Sequence, residues 1–194
     1  MKNIIFALII LVTSSLFAQN TSWTIDNAHS KVEFSVTHLV ISEVTGNFKK
    51  FDGTITSNGN DFTKGNIEFS IDVNSINTEN EQRDNHLKSD DFFNAAKFPK
   101  ITFKGTSLYK VNGNKYKLKG NFTMRDVTKP IVLDVVYGGT VKDPWGNERV
   151  GFKIMGKVNR FDYGLKWNNL VEAGGAVVGK EVTMNCNIEL IKKK

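Results

Sequence analysis

Three histidines and the acids near them are the residues in this chain best suited to chemistry. His29, His38 and His86 occur with Asp26 and Asp84 as candidate metal ligands. A zinc site on a helix places two histidines four residues apart, as in H-x-x-x-H or H-E-x-x-H, and neither pattern occurs. If one strand ran through His29 and His38, their side chains would point to opposite faces. The sequence therefore predicts no metal site.

Nucleophilic chemistry is no better supported by the residue patterns. Cys186 is the only cysteine, which excludes an intrachain disulfide and a cysteine-rich zinc site. It also lies on an apolar stripe, where a reactive thiolate is not expected. The chain contains no G-x-S-x-G turn and no glycine-rich phosphate loop. We therefore predict a protein that is not an enzyme, with no catalytic residue and no cofactor.

Residues 82–103, QRDNHLKSDDFFNAAKFPKITF, place charged and aromatic side chains next to each other. Residues 79–89 contain good helix formers without two-residue alternation, and Asn80 or Thr78 can cap the helix. We predict a short helix here, followed by a loop that ends at Pro99. A connection of this length runs over the surface of a domain, so it forms a lid over one end of the fold.

The charged half of the predicted lid contains Arg83, Asp84 and His86. In one interpretation Arg83 and His86 bind a phosphate or carbonyl head group. In the other, Asp84 pairs with Arg83 or with Arg160, and the ion pairs only fix the lid in place. Both interpretations are compatible, because a lid that shapes an entrance must be anchored.

The apolar half of the lid contains Leu87, which shares a helix face with Arg83, and the adjacent Phe92 and Phe93. These phenylalanines either fill the core or close an apolar mouth and contact an entering chain. His38 shares the parity of Phe34 and Val36 along one strand, so all three side chains point inward. Its imidazole is then either a structural group or a polar contact near the mouth of the pocket.

The rest of the chain alternates apolar and polar residues with a period of two. This pattern predicts roughly eight strands, each with one apolar face: 32–38, 67–73, 116–124, 131–137 and 182–190, with further strands near 44–57, 100–109 and 150–160. Turns are expected at Asn58-Gly59, Asn112-Gly113, Gly138-Gly139 and Gly174-Gly175. Long one-sided strands form either a sandwich or a barrel, and their length favours the barrel because closure removes exposed edges.

The amino terminus and the net charge indicate where the protein works. Lys2 precedes a continuous apolar run at 4–12, and a cut after Ala18 is plausible. This is the pattern of a signal peptide over 1–18, followed by one domain over 19–194. The alternative is an uncleaved membrane anchor, but the apolar run is too short to span a membrane comfortably. The formal charge of +6 is spread along the chain without a nucleic-acid-binding motif. We expect an exported protein that binds no nucleic acid and has a weak attraction to anionic membrane surfaces.

Four blocks of sequence, in order, resemble the YceI-like family of secreted bacterial proteins. They are WTIDNAHSKVEFSVTHLVISEVTGNF (23–48), RDNHLKSDDFFNAAKFPKITF (83–103), GNFTMRDVTKPIVLDV (120–135) and VNRFDYGLKW (158–167). The resemblance implies an all-β, elongated, antiparallel lipocalin-like barrel whose apolar interior holds a polyisoprenoid or similar long lipid. The chain differs at Arg125-Asp126, where the family commonly has a small residue followed by glycine.

These observations predict an exported protein that carries or sequesters an isoprenoid lipid, such as a quinone or a polyprenol. The candidate ligand-binding residues are Phe34, Val36, His38, Arg83, His86, Leu87, Phe92, Phe93 and Arg160. The alternative is a stress-related or surface interaction module whose barrel is filled by its own side chains. Fourteen phenylalanines could fill such a barrel, whereas Gly120 and Gly156 could leave room for a lipid chain.

Overall fold

Several strands of the fold show the alternation of buried and exposed residues that the sequence pattern predicts. In the first strand, for example, Trp23 and Ile25 are buried while Ser22 and Thr24 are exposed. The computed structural model describes residues 20–170 and 176–193. Its strands are β1 Asn20–Ile25, β2 Lys31–His38, β3 Ser42–Phe48, β4 Phe51–Asn58, β5 Ile67–Asp72, β6 Ile76–Asn77, β7 Lys100–Asn112, β8 Lys115–Met124, β9 Val127–Lys142, β10 Glu148–Asn159 and β11 Val178–Lys192.

The strands close into a ring in the order β1-β4-β5-β7-β8-β9-β10-β11, with β11 paired back to β1. All neighbours in this eight-membered ring are antiparallel. The long β11 also pairs with β2, so that Met184 lies opposite Phe34 while Lys192 lies opposite Trp23. Strands β2, β3 and β6 therefore extend the wall at one end. The predicted barrel of about eight strands with a short lid is confirmed.

Helix α1, Glu81–Lys88, follows β6 at this extended end, which we call the lid end. The helix is a few residues shorter than the predicted 79–89, because it begins after its cap, Asn80. The Asn80 side chain accepts a hydrogen bond from the Arg83 N–H at 2.9 Å. No helix in the described part of the chain is long and apolar enough to cross a membrane. The predicted signal peptide over 1–18 and the predicted loop at Gly174-Gly175 lie outside the described residues.

Two details of the strand prediction were wrong. The segment 44–57 forms two strands, β3 and β4, instead of one. Gly138-Gly139 is not a turn: β9 continues through it to Lys142, and the register against β10 shifts between Gly151 and Phe152. A bulge absorbs the extra residue and bends the strand, and glycine is common at such positions. A glycine pair inside a strand thus gave the same sequence signal as a turn.

Aromatic side chains fill the end of the barrel opposite the lid. Trp23 packs on Phe62 with ring centroids 5.2 Å apart, Phe62 on Phe152 at 5.0 Å, and Phe152 on Tyr137 at 5.7 Å. The Trp23 indole N–H also donates to the Ser57 hydroxyl at 2.7 Å. This aromatic plug, defined as Trp23, Phe62, Tyr137 and Phe152, closes the far end of the barrel.

Candidate functional site

An apolar cavity lies between the aromatic plug and the lid. Its volume is about 190 Å³, and none of the four plug residues lines it. The lining comes from the inner faces of the strands and from the lid, and nearly all of it is aliphatic, aromatic or sulfur-containing. Glu33 and Arg160 are its charged members, and Glu33 has the parity of the outer face of β2. The barrel is therefore filled at one end and hollow at the other.

The lid is fixed to the barrel through Thr78, just before α1. The buried Asp84 carboxylate accepts hydrogen bonds from the Thr78 N–H at 2.9 Å and from its hydroxyl at 2.6 Å. Arg83 donates from Nε to the same hydroxyl at 2.8 Å and from Nη2 to the Thr78 carbonyl at 2.7 Å. The expected pairing of Asp84 with Arg83 or Arg160 is thus replaced by bonds to Thr78. These bonds hold the helix so that Leu87 faces the cavity.

Arg125 holds the loop that follows α1. It lies in the two-residue turn between β8 and β9, where Arg125 has φ 50° and Asp126 has φ 57°. Its guanidinium donates to the carbonyls of Phe92 at 2.5 Å and Asp90 at 2.9 Å, and contacts the Asp90 carboxylate at 3.1 Å. Positive φ at both positions explains why small residues and glycine suit this turn. The arginine adds an anchor that places Phe92 over the cavity.

Arg160 is the polar group best placed at the lid end of the cavity. It is 2% exposed and lines the cavity. Its guanidinium donates to four backbone carbonyls: Leu165 and Trp167 at 2.7 Å, Gly179 at 2.8 Å and Val178 at 3.0 Å. Burial lowers the pKa of this guanidinium below its usual value. These bonds use four of its five N–H groups, and the fifth belongs to Nη2.

Six of the nine residues predicted to bind ligand line the cavity together: Phe34, Val36, Leu87, Phe92, Phe93 and Arg160. The structure places the other three outside the lining. The Arg83 guanidinium donates its hydrogen bonds to Thr78, as described above. His86 lies on the outer side of the lid, where Nε2 is 2.8 Å from an Asp91 carboxylate oxygen and the ring edge contacts Phe92 and Trp167. His38 lies at the end of β2, opposite Ser42 and Val178, and does not line the cavity although Val178 does.

Several lining residues were not among the predicted site residues. Met184 and Cys186 follow Val182 on the inner face of β11, and Phe48 contacts Phe93 with centroids 6.0 Å apart. Parity on β11 could have identified the first two, because their alternation was visible in the sequence. Burial raises the pKa of the Cys186 thiol to about 11, so the thiolate is scarce at neutral pH. Cys186 therefore belongs to the apolar wall.

Glycines do not create the cavity in the way the sequence suggested. A Cβ added at Gly120 would lie 2.2 Å from the Phe103 ring, and one added at Gly156 would lie 2.3 Å from a Leu133 methyl group. Each glycine is already covered by a neighbouring side chain. They allow large side chains to lie flat against the wall, and the hollow space lies further inside.

A second group of polar residues gathers at the far end of the barrel. Ligand atoms of Asp26, His29 and Glu189 lie within 4.8 Å of one another, a spacing compatible with a metal ion. Arg149 already occupies the two carboxylates: Nη1 lies 2.6 Å from Asp26 and 2.6 Å from Glu189, and Nε lies 2.7 Å from Asp143. A guanidinium among three carboxylates supplies the positive charge that a metal would bring. We interpret this group as an ion-pair network that fixes β1, β10 and β11.

The ion-pair network predicts how stability depends on pH. Burial alone would raise the pKa of Asp26, but hydrogen bonds from His29, Arg149 and the Ala28 N–H outweigh it and lower the pKa to about 2. The hydrogen bond from Arg149 holds the pKa of Asp143 well below its usual range. Because both carboxyls have a lower pKa in the folded state, their stabilisation is complete above pH about 4 and is lost as the pH falls toward 2. We expect the melting temperature to fall across this window.

Arg149→Met tests this expectation in the same pH titration. The variant should melt at a lower temperature than the wild type at pH 5, because it lacks the ion pairs with the ionised carboxylates. The difference in melting temperature should shrink toward pH 2, because protonation of these carboxylates removes the same ion pairs from the wild type. Lys117→Met is the control, since its pair with Asp134 is largely exposed and should contribute little. A constant difference between Arg149→Met and wild type from pH 5 to pH 2 would contradict the assignment.

Comparison with known sequences finds a family model and relatives that match nearly the whole described chain. The model of the YceI-like domain matches residues 23–190. A UPF0312 protein of Staphylococcus aureus strain N315 is 39% identical over 170 residues, which cover 87% of this chain and 96% of the relative.

Solved structures agree with this result. A YCEI protein of Campylobacter jejuni is 34% identical, with a TM-score of 0.71 over 81% of this chain and 90% of its own. BcnA of Burkholderia cenocepacia has a TM-score of 0.74 at 20% identity over 85% and 98% of the two chains. A polyisoprenoid binding domain from Saccharophagus degradans has a TM-score of 0.65 at 15% identity over 88% and 98%; these last two show the fold alone. The barrel with its covered cavity, together with the match over nearly the whole described chain, shows that this protein belongs to the YceI-like family.

Proposed function

We propose that this protein is an exported, non-catalytic binding protein that holds an isoprenoid lipid of the quinone or polyprenol type in its cavity. The observation that carries the proposal is the apolar cavity of about 190 Å³ beneath the lid. A barrel filled by its own side chains would be packed at both ends, whereas here the aromatic plug fills one end. The polyisoprenoid binding domain with a similar fold supports the same ligand class. The leader pattern at 1–18 supports export.

The size of the cavity limits how the lipid is held. Cavities of roughly 150 Å³ admit a benzene ring, so this one accommodates a short part of an isoprenoid chain. A longer chain requires side chains at the lid end to move aside. Met124, Met184 and Leu87 line the cavity, and methionine in particular adapts its shape at low cost. We therefore propose that the lipid enters by displacing Phe92 and Phe93 and extends from the barrel past the lid.

The energetics favour reversible carriage. Burial of each CH₂ from water is worth about 0.8 kcal/mol, and for a long chain the sum would exceed the practical affinity limit near 20 kcal/mol. A lipid that starts in a membrane moves from one apolar medium to another, so this contribution nearly cancels. The fit of the cavity and contacts to the head group then decide loading. Arg160 is the cationic group in the lining that can donate to a carbonyl or phosphate oxygen.

Lipid extraction tests the proposed function. Protein purified from its own host should release an isoprenoid lipid into organic solvent, identified by mass spectrometry, and stripped protein should take up a quinone dispersed in buffer. Protein from the host that carries no lipid, and takes up neither a quinone nor a polyprenol when offered them, would overturn the proposal.

A further inference from the structure

The turn between β2 and β3 presents three consecutive apolar residues to solvent. We name Leu39, Val40 and Ile41 the β2–β3 tip; Val40 is 65% exposed and Ile41 is 86% exposed. We propose that the β2–β3 tip inserts into the surface of a lipid bilayer and brings the mouth of the cavity to the membrane. This inference rests on the proposed function, because it assigns the surface through which the lipid is collected or delivered.

The backbone of the tip indicates that its apolar residues serve a purpose. Leu39 has φ 52° and Val40 has φ 68°, a region that a β-branched residue rarely adopts. Two other hairpin turns of the barrel place Gly59 and Gly113 at positive φ, each after an asparagine. Asparagine or glycine at these two positions would lower the conformational cost and would expose no large apolar side chain to solvent. Local strain of this kind concentrates at functional sites, and here it accompanies exposed apolar side chains.

The tip lies at the rim of the cavity mouth. The Leu39 N–H donates to the Val177 carbonyl at 2.9 Å, and the Val177 N–H donates to the Asn169 carbonyl at 2.9 Å. This connects the tip to Leu170, which is also exposed. In β2, which leads directly into the tip, Phe34 and Val36 line the cavity. A chain leaving the lid end thus emerges close to these exposed apolar side chains.

The size of the apolar surface favours a bilayer over a protein partner. A stable protein interface uses roughly 20–30 residues on each side, and the tip with Leu170 supplies four exposed apolar side chains. A bilayer needs no complementary surface, and partial insertion of a few apolar residues gives weak, reversible binding. The formal charge is +6 for the full chain, or +5 once Lys2 is removed with the predicted leader, and it adds a long-range attraction to anionic lipids. Weak binding suits a carrier that must leave the membrane again.

A fluorescent label at the tip tests the insertion directly. Ile41→Cys carries an environment-sensitive bimane; Cys186 should not react, because burial raises its pKa to about 11. Vesicles of phosphatidylcholine with phosphatidylglycerol should shift the emission to the blue, and vesicles of phosphatidylcholine alone should shift it less. Val141→Cys is the control, because Val141 is 63% exposed at the far end of the barrel. No shift at Ile41→Cys, or an equal shift at both positions, would overturn the proposal, as would a shift caused by concentrating the protein without vesicles, which indicates self-association.

A second pair of variants separates docking from ligand binding. Val40→Asp should slow the transfer of quinone from anionic vesicles to the protein at least tenfold, while uptake of dispersed quinone without vesicles stays at the wild-type level. Val141→Asp should match the wild type in both assays. If wild-type protein takes up no dispersed quinone, the proposed function fails. If uptake is normal and Val40→Asp transfers as fast as Val141→Asp, only the docking proposal fails.

Discussion

Arg160→Met is expected to lower the free energy of unfolding by about 3 kcal/mol. Methionine has a similar length and replaces the packing of the side chain, but it donates no hydrogen bond to the carbonyls of Leu165, Trp167, Val178 and Gly179. Buried carbonyls that lose their donors cost about 1–3 kcal/mol each, reduced where water enters. Removal of a buried charge offsets part of this cost. For a chain of this size the melting temperature should fall by roughly 6–12 °C.

Two further variants show whether the bonding pattern or the charge is responsible. Arg160→Lys keeps the charge, but one ammonium cannot reach four carbonyls, so about half of the loss should remain. Lys157→Met removes an exposed lysine paired with Glu181 and should change stability by less than about 0.5 kcal/mol. Thermal melts of the three proteins make the comparison. Full stability of Arg160→Met, or full rescue by lysine, would show that the four hydrogen bonds from Arg160 to backbone carbonyls do not stabilise the fold.

The same residue should distinguish ligands by their head groups. Charge-assisted hydrogen bonds contribute roughly 1.5–3 kcal/mol, so Arg160→Met should weaken quinone binding at least tenfold, measured well below its melting temperature. A hydrocarbon of equal length without a carbonyl should bind the variant and the wild type alike. Equal loss for both ligands would mean that Arg160 acts only on the shape of the mouth.

Sequence reasoning was most successful where side chains obey the period of a strand. Parity alone predicts that Phe34 and Val36 lie on the inner face, and both line the cavity. His38 shares that parity but does not line the cavity, because parity predicts the face of a side chain and not its distance from the cavity: His38 is the last residue of β2. The cap at Asn80 was also predictable, because the requirement of a helix start is local.

Contacts between distant segments were not accessible in the same way. Asp84 accepts hydrogen bonds from Thr78, and Arg160 donates to backbone carbonyls instead of a carboxylate. Neither partner could be predicted, because backbone N–H and carbonyl groups occur along the whole chain and the sequence does not indicate which of them form a bond. The division of the barrel into an aromatic plug and a hollow half depends on how aromatic rings from separate strands meet, for example Phe62 with Phe152. Counting phenylalanines could not reveal this division, and it decides whether a ligand fits.

Val36→Phe is expected to abolish lipid binding while the protein stays folded. Val36 lines the cavity and lies opposite Val182 of β11, which lines it too. A larger side chain on this wall takes up part of a cavity of about 190 Å³ and blocks the path of an entering chain. Because the space already exists, the loss of stability should stay below about 1.5 kcal/mol. Binding of a quinone should weaken at least tenfold, which corresponds to about 1.4 kcal/mol.

The same substitution on the outer wall provides the control for Val36→Phe. Val132 is exposed on β9, so Val132→Phe adds the same atoms to solvent and should leave both melting temperature and quinone uptake unchanged. A self-filled barrel gives the opposite result: Val36→Phe would overpack a dense core, cost roughly 1–3 kcal/mol or more, and leave no binding to lose. Strong destabilisation of Val36→Phe together with a wild type that takes up no quinone would therefore reject the carrier function, because it shows that the hollow half of the barrel is filled in solution.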